Sequence, residues 1–307
     1  MKDRLVIGSR GSQLALKQAG SIKENLANLD ANLTILIEII KTSGDVKTEP
    51  LSIIGGKGVF TKELEDALLE GRIDLAVHSL KDLPTMIPDN LAIAAICERQ
   101  DPRDALVLTS DAAKEHSSLI SLPQGAVVGT SSLRRQAQLK YLRRDVVVKD
   151  LRGNVDTRLR KLDEGQYDAL LLAAAGLRRL GLESRISALI PTSEMLPAVG
   201  QGALAVETRA SDYAAIEIVS RLNHEATRLA CMAERSFLRA LGGGCQLPIA
   251  GYAAVSEHEI SLEGLVANPE GKEVLRDKLV GPRANHEQLG AQLASLLLER
   301  GASKLLS

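Results

Sequence analysis

The feature that most constrains the fold is an alternation of strand-like and helix-like segments along the first 100 residues. Short apolar runs predict strands at 5–9, 33–40, 74–80 and 91–97. Between the first two, apolar residues spaced by three and four from Ala15 to Leu29 predict a helix, and residues 61–70 predict another. Such alternation is typical of a mainly parallel sheet covered by helices.

A second, similar α/β unit follows. It has predicted strands at 126–129, 146–151 and 168–174 and predicted helices at 131–142 and 154–164. Charges and proline at 98–103, and proline and glycine at 191–202, mark crossovers between the units. After the second crossover, residues 203–207 are a strand candidate that returns to the first unit.

The last part of the chain has a different pattern, with helices predicted at 225–241 and 287–299. Between them lie a glycine loop at 242–246 and strands at 249–255, 260–266 and 274–280. Helix, strands and helix in this order predict a smaller α+β domain. We therefore predict an α/β protein of three domains: 1–100 with 201–219, 104–196, and 220–307.

Composition excludes several classes of function. The 307 residues carry 38 Lys and Arg against 39 Asp and Glu, and aromatic residues make up 2%. A neutral chain with so few aromatic residues lacks both the field and the stacking surfaces that nucleic acids require. The longest uncharged apolar run, 169–177, is far shorter than the roughly 20 residues of a membrane span.

The N-terminal residues and the cysteines predict a cytoplasmic location. The N-terminus goes straight into a predicted strand without the apolar core of a signal peptide. Cys97, Cys231 and Cys245 have no close spacing, which argues against a disulfide framework and against zinc. Cys97 and Cys231 lie in apolar segments typical of a core, whereas Cys245 follows three glycines and is either a reactive thiol or an incidental loop residue.

The neutral total hides a basic segment. Residues 127–186 contain ten Arg and three Lys against seven Asp and Glu, a net charge of +6, so the rest of the chain sums to −7. Solvated helix faces are one explanation. The preference for arginine instead favours forked binding of carboxylates or phosphates.

Three predicted strand-to-helix turns carry small polar residues: 8–12, 129–132 and 151–154. Helix N-termini of this kind either are simply capped by their own Ser and Asn residues or bind anions. The arginines in or just after these turns are Arg10, Arg134, Arg135, Arg152 and Arg158. They favour a ligand that carries several carboxylates or phosphates.

The predicted strand 74–80 delivers Lys81 and Asp82 at its carboxyl end, before Pro84. A carboxylate beside a basic cleft serves as an acid or base or stabilises a cation, although a surface ion pair explains the two charges equally well. His78 lies within the strand and is predicted to be a packed core histidine rather than a ligand.

Together these residues resemble the hydroxymethylbilane synthase, or porphobilinogen deaminase, family. The motifs that carry the resemblance occur in order between residues 8 and 246: Gly8-Ser9-Arg10, Val77-His78-Ser79-Leu80-Lys81-Asp82-Leu83-Pro84, Asp101-Pro102-Arg103-Asp104-Ala105, Gly129-Thr130-Ser131-Ser132-Leu133-Arg134-Arg135-Gln136, Leu151-Arg152-Gly153-Asn154, Leu196-Pro197-Ala198-Val199-Gly200-Gln201-Gly202 and Gly243-Gly244-Cys245-Gln246. The chain after about residue 256 adds little signature of its own.

The resemblance implies a three-domain α/β enzyme whose first two domains resemble periplasmic binding proteins around a cleft. It implies a transferase that condenses four porphobilinogen molecules head to tail into the linear tetrapyrrole hydroxymethylbilane and releases ammonia. The implied cofactor is dipyrromethane, held by a thioether to Cys245. The family also implies a monomer, while the composition and the residue spacing described above predict no metal, nucleic acid or membrane partner.

Roles for individual residues follow from the same resemblance. Asp82 is the implied catalytic carboxylate. The implied cofactor-binding residues are Cys245, Lys81, Asp82, Ser131, Ser132, Arg134 and Arg135. The implied substrate-binding residues are Arg10, Ser12, Lys57, Arg152, Arg158, Arg179 and Gln201. The porphobilinogen side chains are acetate and propionate, so a bound pyrrole chain needs arginines.

One departure from the family concerns the loop before the second helix, which commonly has two lysines and here keeps only Lys57. A role for this loop as a basic lid over the pyrrole chain is therefore in doubt. Phe60 lies just beyond the loop, where packing on the pyrroles and packing in the protein core are equally consistent with the sequence. Two alternative functions stay open: a non-catalytic anion-binding protein of the same architecture, and an unrelated cysteine-dependent transferase. The first leaves Cys245 and Asp82 without a task, and the second lacks a histidine base near Cys245.

Overall fold

A computed structural model describes residues 2–42, 61–244 and 247–306. The strands share an extended backbone paired within three sheets, and in chain order they are β1 (Arg4–Ser9), β2 (Thr34–Ile39), β3 (Leu75–Ser79), β4 (Leu91–Ile96), β5 (Asp104–Leu108), β6 (Val127–Gly129), β7 (Val147–Lys149), β8 (Ala169–Ala173), β9 (Ala188–Leu189), β10 (Leu204–Arg209), β11 (Ile249–Val255), β12 (Glu259–Ala267) and β13 (Val274–Pro282).

The α-helices in the described ranges follow the same order. They are α1 (Gln13–Leu29), α2 (Lys62–Leu69), α3 (Ala112–Glu115), α4 (Leu133–Leu142), α5 (Val155–Asp163), α6 (Ala174–Arg179), α7 (Tyr213–Ser220), α8 (Glu225–Ala240), α9 (His286–Glu299) and α10 (Ala302–Leu305). Single 3-10 turns occupy Leu80–Asp82, Glu183–Arg185 and Arg283–Asn285. None of these helices has the length and apolar character that crossing a membrane requires.

The chain divides into two compact units. The first unit comprises residues 1–99 and 203–229, and the second unit comprises 100–202 and 230–307. The first unit contains a five-stranded sheet in the order β2-β1-β3-β10-β4. Strand β10 runs antiparallel to both of its neighbours, whereas β1 is parallel to β2 and β3. The strand predicted to return at 203–207 is therefore confirmed.

Helices cover both faces of this first sheet because successive side chains of a strand point to opposite sides. Leu5 and Ile7 of β1 pack in one buried cluster with Ile22 of α1, while Val6 packs against the cluster on the other face that contains Leu64 of α2. Helix α1 begins where the Ser12 side chain accepts a hydrogen bond from the Ala15 amide at 3.3 Å. The middle of the predicted apolar spacing, Ala19, Ile22 and Leu26, is thus the face that α1 buries, whereas Leu29 at its end is exposed.

The second unit repeats the same sheet arrangement in the order β7-β6-β8-β5-β9. Here β5 is the reversed strand, antiparallel to β8 and β9, while β6 is parallel to β7 and β8. The prediction of mainly parallel sheets is right for four of five strands in each sheet. The sequence-based prediction missed β5, whose first residue, Asp104, comes directly after the segment 98–103 that was interpreted as a crossover.

The C-terminal part of the second unit is the predicted α+β element. Strands β11, β12 and β13 form an antiparallel meander, and α9 packs on β12 and β13. Phe237 of α8 is fully buried in this core with Ile249 and Leu293. The predicted bounds of β11 agree with the structure, and those of β12 and β13 are short by one or two residues at their ends.

Candidate functional site

A small pocket in the first unit collects several predicted site residues. Strands β1 and β3 are parallel neighbours, so the segments that follow them lie at the same edge of the sheet. Arg10 follows β1, and Asp82 ends the 3-10 turn that follows β3. The pocket has a volume of about 60 Å³ and its lining includes Arg10, Ser12, Gln18, His78, Ser79 and Asp82. The structure therefore brings Arg10, Ser12 and Asp82 together.

The floor of this pocket is built from buried polar contacts. Gln18 of α1 donates a hydrogen bond from Nε2 to Oγ of Ser79 at 2.8 Å. The His78 ring is buried, as predicted, and its Nε2 lies 3.0 Å from Oε2 of the fully buried Glu207 on β10. Burial raises the pKa of the nearby Glu65 carboxyl, and the charge of Glu207 raises it further. These contacts fix the end of β3, just before Lys81 and the exposed Asp82.

Two predicted arginines form a buried cluster in the second unit. Arg134 and Arg135, at the start of α4, are only 5% and 6% exposed, and both bind Asp104 of β5. Arg134 reaches the two carboxylate oxygens at 2.7 and 3.2 Å. Arg135 donates from Nε at 3.0 Å and from Nη2 at 2.7 Å, both to Oδ1. The cluster contains two positive charges and one negative charge.

Burial and charge act in opposite directions on this cluster. Burial alone would raise the pKa of Asp104, but the guanidinium groups of Arg134 and Arg135 outweigh it and hold that pKa well below its usual range. The pKa of Arg134 is lowered, chiefly by burial, with Asp104 opposing the shift and Arg135 adding to it. An arginine stays charged under such shifts, so the cluster keeps an excess positive charge.

Gln201 joins the same cluster from the segment before β10. Its Nε2 donates to Oδ1 of Asp104 at 2.9 Å and to the carbonyl oxygen of Pro102 at 2.7 Å. The neighbouring Gly200 amide donates to Oε2 of the buried Glu234 on α8 at 2.7 Å. Sequence reasoning missed Asp104 as the centre of this network, although a lone carboxylate opening an apolar run was a signal of a buried, paired acid.

The two predicted serines before α4 have different surroundings. Ser131 Oγ donates to the Leu151 carbonyl oxygen at 2.8 Å and accepts from the Leu151 amide at 2.9 Å. It therefore ties the end of β6 to the segment after β7. Ser132 precedes the first residue of α4, and its amide donates to Oγ1 of Thr130 at 3.2 Å.

The remaining predicted arginines of the second unit lie near the carboxyl ends of β7 and β8. Arg158 donates from Nε to the Gly153 carbonyl oxygen at 2.7 Å, and Arg179 donates from Nη2 to that of Gly202 at 2.6 Å. Arg152 lies in the turn before α5, where its carbonyl oxygen accepts from Lys161 Nζ at 3.3 Å. Arg152 thus lies in a turn, whereas Arg158 and Arg179 lie on α5 and α6.

Three residues singled out from the sequence lie outside the described residues: Lys57, Phe60 and Cys245. The predicted core character of the other two cysteines is confirmed for Cys231, which is fully buried, whereas Cys97 is half-buried. Within the described ranges, no group of three or more His, Cys, Asp or Glu residues is placed to hold a metal ion.

The fold and these sites define a mixed α/β protein whose predicted site arginines follow the carboxyl ends of strands in its two five-stranded sheets. Comparisons with known proteins specify the family. The family model described as "Porphobilinogen deaminase, dipyromethane cofactor binding domain" matches residues 5–217, and the model described as "Porphobilinogen deaminase, C-terminal domain" matches residues 228–299. The chain belongs to the porphobilinogen deaminase family.

Individual relatives align with this chain over nearly its whole length. The chain is 51% identical over 304 residues to the porphobilinogen deaminase of Synechococcus sp. (strain RCC307), covering 99% of this chain and 95% of the relative. It is 49% identical over 306 residues to that of Chromobacterium violaceum, covering 99% and 97%. Among solved structures, substrate-binding domain 2 of Lactococcus lactis GlnP is similar at 16% identity with a TM-score of 0.43, covering 78% of this chain and 91% of that one.

Proposed function

We propose that the chain is a transferase that joins four porphobilinogen molecules head to tail and, with one water molecule that supplies the terminal hydroxyl group, gives hydroxymethylbilane and four molecules of ammonia. The observation that carries the proposal is that Asp82 and Arg10 line one pocket at the carboxyl end of β1 and β3. A guanidinium there binds the acetate or propionate of a substrate unit, while an exposed carboxylate remains beside the reacting carbon.

The reaction needs one group that handles both a proton and a positive charge. The C–N bond of porphobilinogen breaks as ammonia leaves, which produces a methylene-pyrrole cation. A C–C bond then forms to the next pyrrole ring, and that ring carbon loses its proton. The Asp82 carboxylate stabilises the cation and accepts the proton, and the hydrogen bonds beneath β3 keep it in place.

The second unit supports binding of the dipyrromethane cofactor that defines the family domain. The buried cluster of Arg134, Arg135 and Asp104 has an excess positive charge, and its donors suit the carboxylates of a dipyrromethane. When bound, this group supplies the pyrrole carbon from which the product chain is extended. By the family resemblance, Lys81, Ser131 and Ser132 are further candidates for binding the cofactor, with a thioether to Cys245.

The other basic residues serve the growing chain. Ser12, Lys57, Arg152, Arg158, Arg179 and Gln201 would bind the incoming substrate or the pyrrole units already joined. A cytoplasmic location fits the cysteine usage, and a monomeric enzyme is what the family resemblance implies.

Denaturing mass spectrometry of the purified protein tests the proposal. The wild-type mass should exceed the sequence value by a two-pyrrole adduct, and Cys245→Ser should abolish the adduct while the control Cys97→Ser retains it. An unmodified wild-type mass, from cells able to make porphobilinogen, would contradict covalent priming and favour a non-catalytic binding protein.

A second experiment tests the role of Asp82. Asp82→Asn should keep the adduct and the fold but lose most turnover, because the amide neither accepts the proton nor carries the charge. Asp89→Asn, at an exposed carboxylate in the same connection, is the matched control and should turn over normally. Near-normal turnover by Asp82→Asn would remove that residue from its catalytic role.

A further inference from the structure

Asp104 is the common acceptor for three side chains from two distant parts of the sequence: the neighbours Arg134 and Arg135 on α4, and Gln201 before β10. Arg134, Arg135 and Gln201 donate five hydrogen bonds to its two oxygens, at 2.7–3.2 Å. Asp104 itself is fully buried at the start of β5. A carboxylate with this number of donors fixes the plane of each guanidinium that it binds.

Backbone acceptors complete the orientation of the two arginines. Arg134 also donates from Nη1 to the Leu196 carbonyl oxygen at 2.8 Å, and Arg135 donates from Nη1 to that of Leu171 at 3.0 Å. Within the described residues, each guanidinium thus makes three hydrogen bonds, whereas arginine has five N–H donors. The remaining donors belong to two groups held side by side by the same carboxylate.

The network extends to the segment that carries Gln201. Gln138 of α4 donates from Nε2 to the Leu196 carbonyl oxygen at 3.0 Å and accepts from the Leu196 amide at 2.7 Å. At the other end of the segment, Glu234 binds the Gly200 amide. The Gln201 side chain therefore approaches Asp104 from a backbone that is held at both ends.

We propose that Asp104 is a positioning residue for the cofactor site: it holds Arg134 and Arg135 as one preorganised pair that presents its remaining N–H donors to a single carboxylate-bearing ligand. The inference rests on the proposed function, because the ligand is the dipyrromethane. The low pKa of Asp104 keeps its carboxylate charged at neutral pH, so one of the two arginine charges is balanced and the other is left for the ligand.

The test follows cofactor loading rather than turnover. Apo-protein of each variant is incubated with porphobilinogen, and the fraction that carries the two-pyrrole adduct is followed by denaturing mass spectrometry. Asp104→Asn should remain folded by circular dichroism but load at least tenfold more slowly than wild type. Asp101→Asn is the matched control, since Asp101 also binds two arginines, Arg103 and Arg178, but neither arginine of the cluster.

A double-variant comparison separates positioning from a general loss of structure. If Asp104 acts through the pair, adding Asp104→Asn to Arg134→Gln should slow loading by much less than tenfold beyond Arg134→Gln alone. Independent effects that multiply in the double variant would contradict the proposal.

Each remaining outcome also has a meaning. Wild-type loading rates in Asp104→Asn, with normal loading of the wild type itself, would overturn the inference and leave the proposed function intact. Absence of an adduct on the wild type would overturn the proposed function, and the inference with it. If Asp104→Asn does not fold, Asp104→Glu, which keeps the charge but moves it by one methylene, should fold and load slowly. Wild-type loading by Asp104→Glu, or failure of both variants to fold, would overturn the positioning role.

Discussion

Glu234→Gln is the substitution whose cost follows most directly from the structure. The Glu234 side chain is fully buried on α8 and accepts from the Gly200 amide at 2.7 Å and from the Ala253 amide at 2.9 Å. A glutamine offers only one oxygen, so one of these buried amides would face an NH₂ group. An unpaired buried donor costs about 1–3 kcal/mol, and loss of charge from the other bond adds about 1 kcal/mol.

The expected loss for Glu234→Gln is therefore about 2–4 kcal/mol in the free energy of unfolding, which for a chain of 307 residues lowers the melting temperature by roughly 3–6 °C. Thermal unfolding followed by circular dichroism measures it. Glu263→Gln is the control, because Glu263 lies on β12 as a partly exposed partner of Arg276 and its pair contributes about 0–1 kcal/mol. A Glu234→Gln melting temperature equal to that of the control would refute the argument that the two backbone bonds stabilise the fold.

Three further predictions concern other parts of the fold. Gly290→Ala should lower the free energy of unfolding, measured by chemical denaturation, by about 1–3 kcal/mol, because the new Cβ would meet the α8 backbone. The control Gly20→Ala should be neutral or stabilising, since no described atom lies within 4 Å of the added Cβ. The pKa of Asp104 is lowered in the folded state, so the stability that its carboxylate contributes is present above the pKa of the unfolded chain, about 4, and is lost as the pH falls below that pKa. The difference in melting temperature between wild type and Asp104→Asn should therefore narrow below about pH 4. A constant difference from pH 3 to 7 would contradict this prediction. Ser131→Ala should leave the amide and the carbonyl group of Leu151 without the serine hydroxyl as partner and lower the free energy of unfolding by about 1–3 kcal/mol. Hydrogen exchange of the Leu151 amide should become faster. Unchanged exchange would show that the serine does not stabilise this segment.

The elements that local patterns predict well are those whose own residues decide the structure. Strand β1 and helix α1 lie within two residues of their predicted ends, because an apolar run and a capped three- and four-residue spacing need no distant partner. Helix α7 was missed although Asp212 caps it by accepting from the Ala215 amide at 3.1 Å, so a usable signal was present there.

The site shows where local patterns reach their limit. Asp104 opens a fully buried strand, but the residues before it, Asp101-Pro102-Arg103, are typical of a surface crossover. Its burial becomes favourable only because Arg134 and Arg135 meet it from α4, across a distance in sequence that no periodicity reveals. The basic turns were predicted from arginine content, whereas the pairing of two of those arginines with a buried carboxylate required the three-dimensional fold.

The reversed strand of the first sheet has a consequence for the order in which a ribosome can complete this protein. Strands β3 and β4 emerge early, but β10, which pairs with both, is translated only after β5 to β9 of the second sheet. The sheet of the first unit, although its first strand is synthesised earliest, is thus completed after the sheet of the second unit. Until then, a nascent chain carries unpaired edges on β3 and β4, which are the sites where chaperones or neighbouring nascent chains would engage it.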